Sequence, residues 1–247
     1  MTRKATILMY HQVGDFPPMK AHRSTYCHYR SFARQMAYLH WLGYKVISLE
    51  AALAGLFGGG TLPERSVVLT FDDGYENFHE YAFPVLKRYG FPATVFLVSG
   101  LIGDKARWLE ADGRHGARLM DVETIRSLAR QGITFGAHTV SHVRLSRVEP
   151  DRMREEIVRS KADLESVLGE EVRYFCYPYG DYNAAAVEMV RQAGFDAALS
   201  CVRGDAGAGD DRFLLPRKAI SFGDNLVGYF WKIHVKKHKK QAVPAYE

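Results

Sequence analysis

Two short clusters of side chains in this sequence have the types and spacing to do chemistry. Asp72 and Asp73 stand side by side at the end of Ser66-Val67-Val68-Leu69-Thr70-Phe71, and Gly74 follows them. His138 and His142 lie four residues apart, just past the apolar run 133–137. Two carboxylates at the end of a core strand lose hydration and repel each other, which a cation or a catalytic proton offsets. Taken alone, Asp73-Gly74 also reads as a turn and Asp72 as a helix cap. Successive side chains on an extended strand point opposite ways, so the two acids take different roles unless the backbone turns there, as Gly74 permits. Two histidines at this spacing converge on one divalent ion, whether they occupy a helical turn or a curled loop. Asp73, His138 and His142 then form a two-histidine, one-carboxylate set with positions left for water, the pattern of a catalytic rather than a closed structural site.

The elements that must hold these groups read as alternating strands and helices. Short apolar runs at residues 5–10, 44–48, 66–71, 93–98, 133–137, 172–177, 195–200 and 213–221 predict strands. Between them the 3.6-residue pattern predicts helices: one marked by Phe32, Met36 and Leu39, a short one ending at Phe57, and two within 75–89 with Pro84 in the first turn of the second. Three more follow, from an Asp121 cap to Gln131, over 150–168, and from an Asn183 cap to Ala193. The charges on the 150–168 helix read as a solvated face. Strands separated by helices predict a parallel α/β sheet, and this many units suits a barrel. Such barrels place their chemistry past the C-terminal ends of the strands, where His11, Asp72, Asp73, His138 and Pro178 all fall. Residues 12–29 read as a lid or a solvated connection. In the long irregular stretch 99–120, Trp108 either stacks on a ligand or packs the loop.

At 247 residues and 47% hydrophobic content the chain fits one domain, with a barrel over 1–223 and a basic helix and tail over 224–247. A formal charge of +5, from 33 basic against 28 acidic residues, is too mild for a nucleic-acid surface. Cys27, Cys176 and Cys201 are widely spaced, which favours free thiols in a reducing compartment. The first apolar run is too short for a signal-peptide core, and no span suits a membrane crossing, so a soluble cytoplasmic protein is expected, with the inner face of the membrane as an optional site. The tail from Trp231 to Lys240 combines aromatics with five lysines, which suits peripheral contact with an anionic membrane or a frayed terminus.

Thr70-Phe71-Asp72-Asp73-Gly74-Tyr75 and His138-Thr139-Val140-Ser141-His142 resemble the first two motifs of polysaccharide deacetylases of the NodB-homology type, carbohydrate esterase family 4. The resemblance extends over residues 7–221. It implies a distorted (β/α) barrel of about seven or eight parallel strands that removes the acetyl group of an N-acetylhexosamine in an oligosaccharide, polysaccharide or glycolipid. It also implies Asp72 as general base, Asp73, His138 and His142 as metal ligands, and the backbone N–H of Tyr179, after Pro178, as a donor to the oxyanion. Zinc suits the ligand set first, with cobalt, nickel or iron as alternatives. Tyr75, Pro178 and Trp108 are expected on the substrate side.

Two departures from the family pattern matter. Phe175-Cys176-Tyr177-Pro178-Tyr179 keeps the Pro-Tyr of the third motif but lacks the arginine before it. Arg217 is the candidate replacement, against the alternative of a surface arginine at a strand edge. The general-acid histidine is assigned to His11, after Tyr10, as in members that look circularly permuted, with His234 as the other candidate. Two further readings stand beside the deacetylase: hydrolysis of another C–N bond, of the ureide or formyl-sugar type, and a non-catalytic glycan-binding protein.

Overall fold

The computed structural model describes residues 4–111 and 116–235. In chain order these form β1 (Lys4–Tyr10), β2 (Gln12–Gly14), β3 (Tyr26–His28), α1 (Tyr29–Trp41), β4 (Lys45–Val46), α2 (Leu49–Phe57), β5 (Ser66–Phe71), α3 (Phe83–Tyr89) and β6 (Thr94–Leu97). Then come α4 (Arg107–Ala111), α5 (Val122–Ala129), β7 (Thr134–Ala137), α6 (Pro150–Leu168), β8 (Tyr174–Cys176), α7 (Ala184–Gln192), β9 (Ala197–Arg203), β10 (Ala206–Gly207), β11 (Leu215–Ala219) and α8 (Leu226–His234). Parallel pairing runs from β1 through β5, β6, β7, β8, β9 and β11 and back to β1, so seven strands close a barrel. The short β4 lies parallel to the start of β5, and β10 lies antiparallel to β1.

Local sequence sets the element ends. Asp121 and Asn183 cap α5 and α7 by accepting the N–H of Thr124 and Ala186. Pro84 and Pro150 sit in first turns, where a missing N–H costs nothing, and Gly90 and Gly169 close α3 and α6 in the left-handed region. The turn before α3 is a wide one of π geometry over Phe78–Ala82. Residues 12–29 are strapped down rather than loose, since β2 pairs with β3 and Asn77 bonds to both Gln12 and the Val13 N–H.

Strand alternation sorts the core into two layers. Leu8, Tyr10, Leu69, Phe71, Val95, Phe135 and Phe175 pack outward under the helices. Ala5, Ile7, Val68, Phe96, Tyr174, Cys176, Leu199 and Leu215 fill the lumen together with Leu53 and Leu56 of α2. At Gly136 an added Cβ would lie 2.6 Å from the Phe96 ring and 2.8 Å from the Tyr174 carbonyl, so only glycine lets β7 pass this layer. Residues further along the inward rows, Asp72 and His138 among them, therefore emerge at the C-terminal mouth.

Asn225 caps α8, which buries Tyr229 and Ile233 in the outer core. The Lys232 ammonium is 2.5 Å from Asp224 and also donates to the Ala219 carbonyl, so this lysine belongs to the body of the protein and not to an exposed basic face. The lysine-rich run after Val235, read above as a membrane contact, lies outside the described residues. Among those described, no helix is long and apolar enough to cross a membrane.

Candidate active site

β5 ends at Phe71, but the Asp72 N–H still donates to the Tyr10 carbonyl at 2.9 Å. The strand geometry thus runs one residue on, and Asp72 keeps the inward side of Val68 and Thr70. On β11, which flanks β1 opposite β5, Arg217 follows Leu215 on the inward side. Its Nη1 and Nη2 each lie 2.7 Å from one Asp72 oxygen, Nε donates to the Ser200 carbonyl at 2.9 Å, and Nη1 reaches the Thr70 hydroxyl at 3.1 Å. Arg217 is 1% exposed and Asp72 2%, so the arginine is no surface residue. Burial pushes the Asp72 carboxyl up, yet Arg217 first, then His11 and His138, hold it below its ordinary value. Such a two-pronged buried pair also fixes the carboxylate in one orientation. Cys176 completes the cluster: Arg217 Nη2 lies 3.0 Å from its sulfur, and its thiol donates to Asp72 at 3.6 Å. Burial pushes that thiol well up, so it is neutral.

Asp73 leaves the strand. Its φ is +76° and that of Gly74 +77°, so the turn begins on the acid itself rather than on the glycine. A side chain at Gly74 would also meet Leu97 at 2.6 Å. Asp73 Oδ1 points at two imidazoles, 3.3 Å from His138 Nε2 and 3.2 Å from His142 Nε2, and all three residues are buried. His138 donates from Nδ1 to the Cys176 carbonyl at 2.7 Å, which orients the ring with Nε2 toward Asp73. His142 sits on a curled loop, not a helical turn, with φ +65° at Thr139 and +60° at His142. Left-handed backbone at such residues costs about 1–3 kcal/mol each and is held only where the surroundings insist.

These residues fit a divalent cation. Their ligand atoms lie within 4.8 Å of one another, and Asp73 Oδ1, buried at the centre, has no hydrogen-bond partner. Burial pushes His142 below its ordinary value against the pull of Asp73, which favours the neutral ring a metal requires. Asp73 is held well below the carboxylate range, since His142 and His138 outweigh its burial. A second group, Asp72, His138 and Cys176, is equally compact, but the Arg217 guanidinium already lies against its carboxylate and thiol.

Around this pair of clusters the remaining expected residues divide. His11 Nε2 lies 3.9 Å from Asp72 Oδ2, and its buried Nδ1 is without a partner. His234 is elsewhere: it bonds to the Tyr44 hydroxyl at 2.5 Å, and Tyr44 precedes β4, which pairs with the start of β5, whereas Asp72 follows its end. Trp108 stacks on His142 with ring centroids 4.1 Å apart, and Tyr179 meets the same ring edge-on at 4.6 Å. Tyr179 is 44% exposed and has φ +60°, just after the buried Pro178. Arg144 lies over the Tyr179 ring at 4.0 Å. Tyr75 is 1% exposed and packs with Ala106, Leu109 and Leu119, so it underlies the site and presents no open face. Burial, and then the Asp73 charge, push its phenol well above the usual value.

Three site groups escaped the sequence reading. Thr70 and Cys176 touch Arg217 from the lumen, and Glu156, on a helix whose charges read as solvated, is fully buried. Its position carried a signal: it falls three residues after Met153 and four before Ser160, on the buried stripe of α6.

Comparison with known proteins agrees with this geometry. The polysaccharide deacetylase family profile matches residues 59–198. A poly-beta-1,6-N-acetyl-D-glucosamine N-deacetylase of Escherichia coli K12 is 26% identical over 208 residues, which cover 70% of this chain and 30% of that protein. The Staphylococcus aureus (strain MRSA252) protein of the same name is 25% identical over 171 residues, 66% of this chain and 57% of its own length. The match thus spans less than two thirds of either protein. The structure of Streptococcus pyogenes deacetylase PplD in complex with acetate superposes with a TM-score of 0.82 at 25% identity, covering 95% of this chain and all of that one. With the profile matched over more than half of its length and the Asp-Asp and His-x-x-x-His motifs inside that match, the chain belongs to the polysaccharide deacetylase family.

Proposed function

We propose that this protein is a metal-dependent deacetylase that hydrolyses the N-acetyl group of an N-acetylhexosamine in an oligosaccharide, polysaccharide or glycolipid. The observation that carries the reading is the buried Asp72–Arg217 pair beside the converging Asp73, His138 and His142. Those three residues would hold a divalent ion, zinc first among the candidates, which when bound would supply a lowered water pKa and polarisation of the acetyl carbonyl. Asp72, kept ionised by Arg217, takes the proton from the attacking water. The Tyr179 backbone N–H donates to the carbonyl oxygen as it gains negative charge. His11, 3.9 Å from Asp72, hands a proton to the departing sugar nitrogen, so that an amide and a water leave as acetate and an amine. Trp108 and Tyr179 flank the sugar. The Tyr10-His11 pair on the first strand reads as the family's last motif, circularly permuted to the front.

The relatives' names make β-1,6-linked N-acetylglucosamine the first substrate to try. Acetate release from β-1,6- and β-1,4-linked oligomers and from lipid-linked N-acetyl sugars tests this, with β-1,6 oligomers expected to turn over fastest. Release from no member of the panel by a folded, zinc-loaded protein contradicts the deacetylase and returns weight to another C–N bond. The free Cys27, Cys176 and Cys201 support a reducing, cytoplasmic setting, and the lysines after Val235 support contact with an anionic inner leaflet. Flotation with anionic liposomes, with and without residues 236–247, checks the contact; equal recovery in the soluble fraction contradicts it.

A further inference from the structure

The loop that carries His142 has no regular structure, so its backbone groups must find partners elsewhere. From one side, the N–H groups of Ser99 and Gly100 donate to the carbonyls of Thr139 and Val140, at 3.1 and 2.9 Å. Gly100 makes that approach possible, since a Cβ there would lie 2.7 Å from the Val140 oxygen. Within the loop, the Thr139 hydroxyl accepts the His142 N–H at 2.9 Å. From the other side comes a single charged group. Glu156 Oε2 accepts the consecutive N–H groups of Val140 and Ser141 at 2.8 and 2.9 Å, and Oε1 accepts the Ser141 hydroxyl at 2.5 Å. Consecutive N–H groups aimed at one anion form a concave nest, here filled by a side chain of the protein itself. Arg152, one turn earlier on α6, balances the carboxylate at 2.6 Å.

We infer that Glu156 is a positioning residue for the metal centre, setting the left-handed turn that aims His142 Nε2 at Asp73. The inference rests on the reading of Asp73, His138 and His142 as metal ligands. A fully buried carboxylate is costly unless its charge is used, and among the described residues its hydrogen bonds and ion pair end on the ligand-bearing loop or on its own counter-ion. The α6 helix thereby ties ligand geometry to the rigid body of the barrel, as groups behind a metal ligand do when they fix its orientation.

The test is the zinc dissociation constant, measured by competition with a chromophoric chelator, for the wild type, Glu156→Gln, Ser141→Ala and Asp73→Asn, beside the thermal midpoint of each metal-free protein. Glu156→Gln keeps the shape but loses the charge and one acceptor, and zinc affinity is expected to fall on the order of 10- to 100-fold. Turnover is expected to recover when zinc is raised. Ser141→Ala, which leaves the carboxylate in place, is expected to lose less, in the same direction. A purely structural glutamate would lower the metal-free midpoint and leave the affinity of the folded protein unchanged, and that result overturns the inference. If Glu156→Gln does not fold, Ser141→Ala decides by the same criterion. Asp73→Asn separates the two failures: wild-type affinity there sinks the metal reading, whereas its loss beside an unchanged Glu156→Gln sinks only the role of Glu156.

Discussion

Asp72 and Asp73 are neighbours with opposite work because the backbone turns between them and their partners differ. Asp72 faces a guanidinium, and Asp73 faces two imidazoles. Replacing Asp72 by Asn removes the proton acceptor without touching a metal ligand, so kcat is expected to fall about 10²–10⁴-fold while zinc binding persists. Arg217→Met is expected to act on pH dependence. Burial raises the Asp72 pKa and Arg217 is the largest influence lowering it, so losing the arginine leaves only the weaker pull of His11 and His138 against burial, and the acid limb of the kcat/KM profile moves to higher pH. An unmoved acid limb would show that another group sets it. The sign for stability follows from the same shift: a depressed carboxylate stabilises the fold above its unfolded pKa of about 3.9, and that contribution fades as pH falls through the folded value. Leaving the charge buried and unpaired in Arg217→Met costs roughly 3–5 kcal/mol at neutral pH, readable in a urea melt. The acids and histidines were legible in the sequence because each pair is contiguous or nearly so. Arg217 was legible only as a vacancy to be filled, and Glu156 was hidden because a buried glutamate on a charged helix looks like its solvated neighbours.

At the scale of elements, the strands were found by their apolar runs, and the run 66–71 is β5 in full, but several strands came out shorter than their runs. The run 44–48 yields only Lys45–Val46, and 172–177 yields Tyr174–Cys176, because apolar side chains continue to pack after the ladder has ended. The helix begun at Asp121 stops at Ala129, before Gln131, as its last residues tighten toward Gly132. What the sequence could not display is the close passage of β7 over the lumen. Gly136→Ala is expected to destabilise the fold by about 1–3 kcal/mol through overpacking against Phe96, read as a lowered denaturant midpoint. A neutral result would mean that the Phe96 ring gives way. Trp108, in α4 within the long stretch 99–120, stacks on His142. If its ring also flanks the sugar, Trp108→Ala raises KM more than it lowers kcat; a loss confined to kcat would assign it to His142 alone.

At the scale of the whole molecule, closure of the barrel is what completes the site. The family profile covers residues 59–198, and neither His11 nor Arg217 lies within it. The first and last barrel strands, β1 and β11, pair with each other and bring both side chains to Asp72, His11 to 3.9 Å and Arg217 to 2.7 Å. Closure also separates the two candidate acids, leaving His234 with Tyr44 at the other end of β5. The alternation of strands and helices made the barrel readable in advance, but which chain ends meet is a long-range fact that no local pattern carries. A bound metal should tighten the same assembly: zinc at about 100 times its dissociation constant adds roughly 2.7 kcal/mol, a rise in thermal midpoint that a chelator reverses.

The central claim is that Asp72 acts as a base beside a metal held by Asp73, His138 and His142. It is tested most directly by acetate release from N-acetylglucosamine oligomers, comparing zinc-loaded wild type, chelated wild type and Asp72→Asn with its zinc content assayed in parallel. The account predicts full release by the loaded wild type alone, with Asp72→Asn slowed about 10²–10⁴-fold although it carries zinc. Undiminished release by zinc-loaded Asp72→Asn, or by the fully chelated wild type, would contradict it.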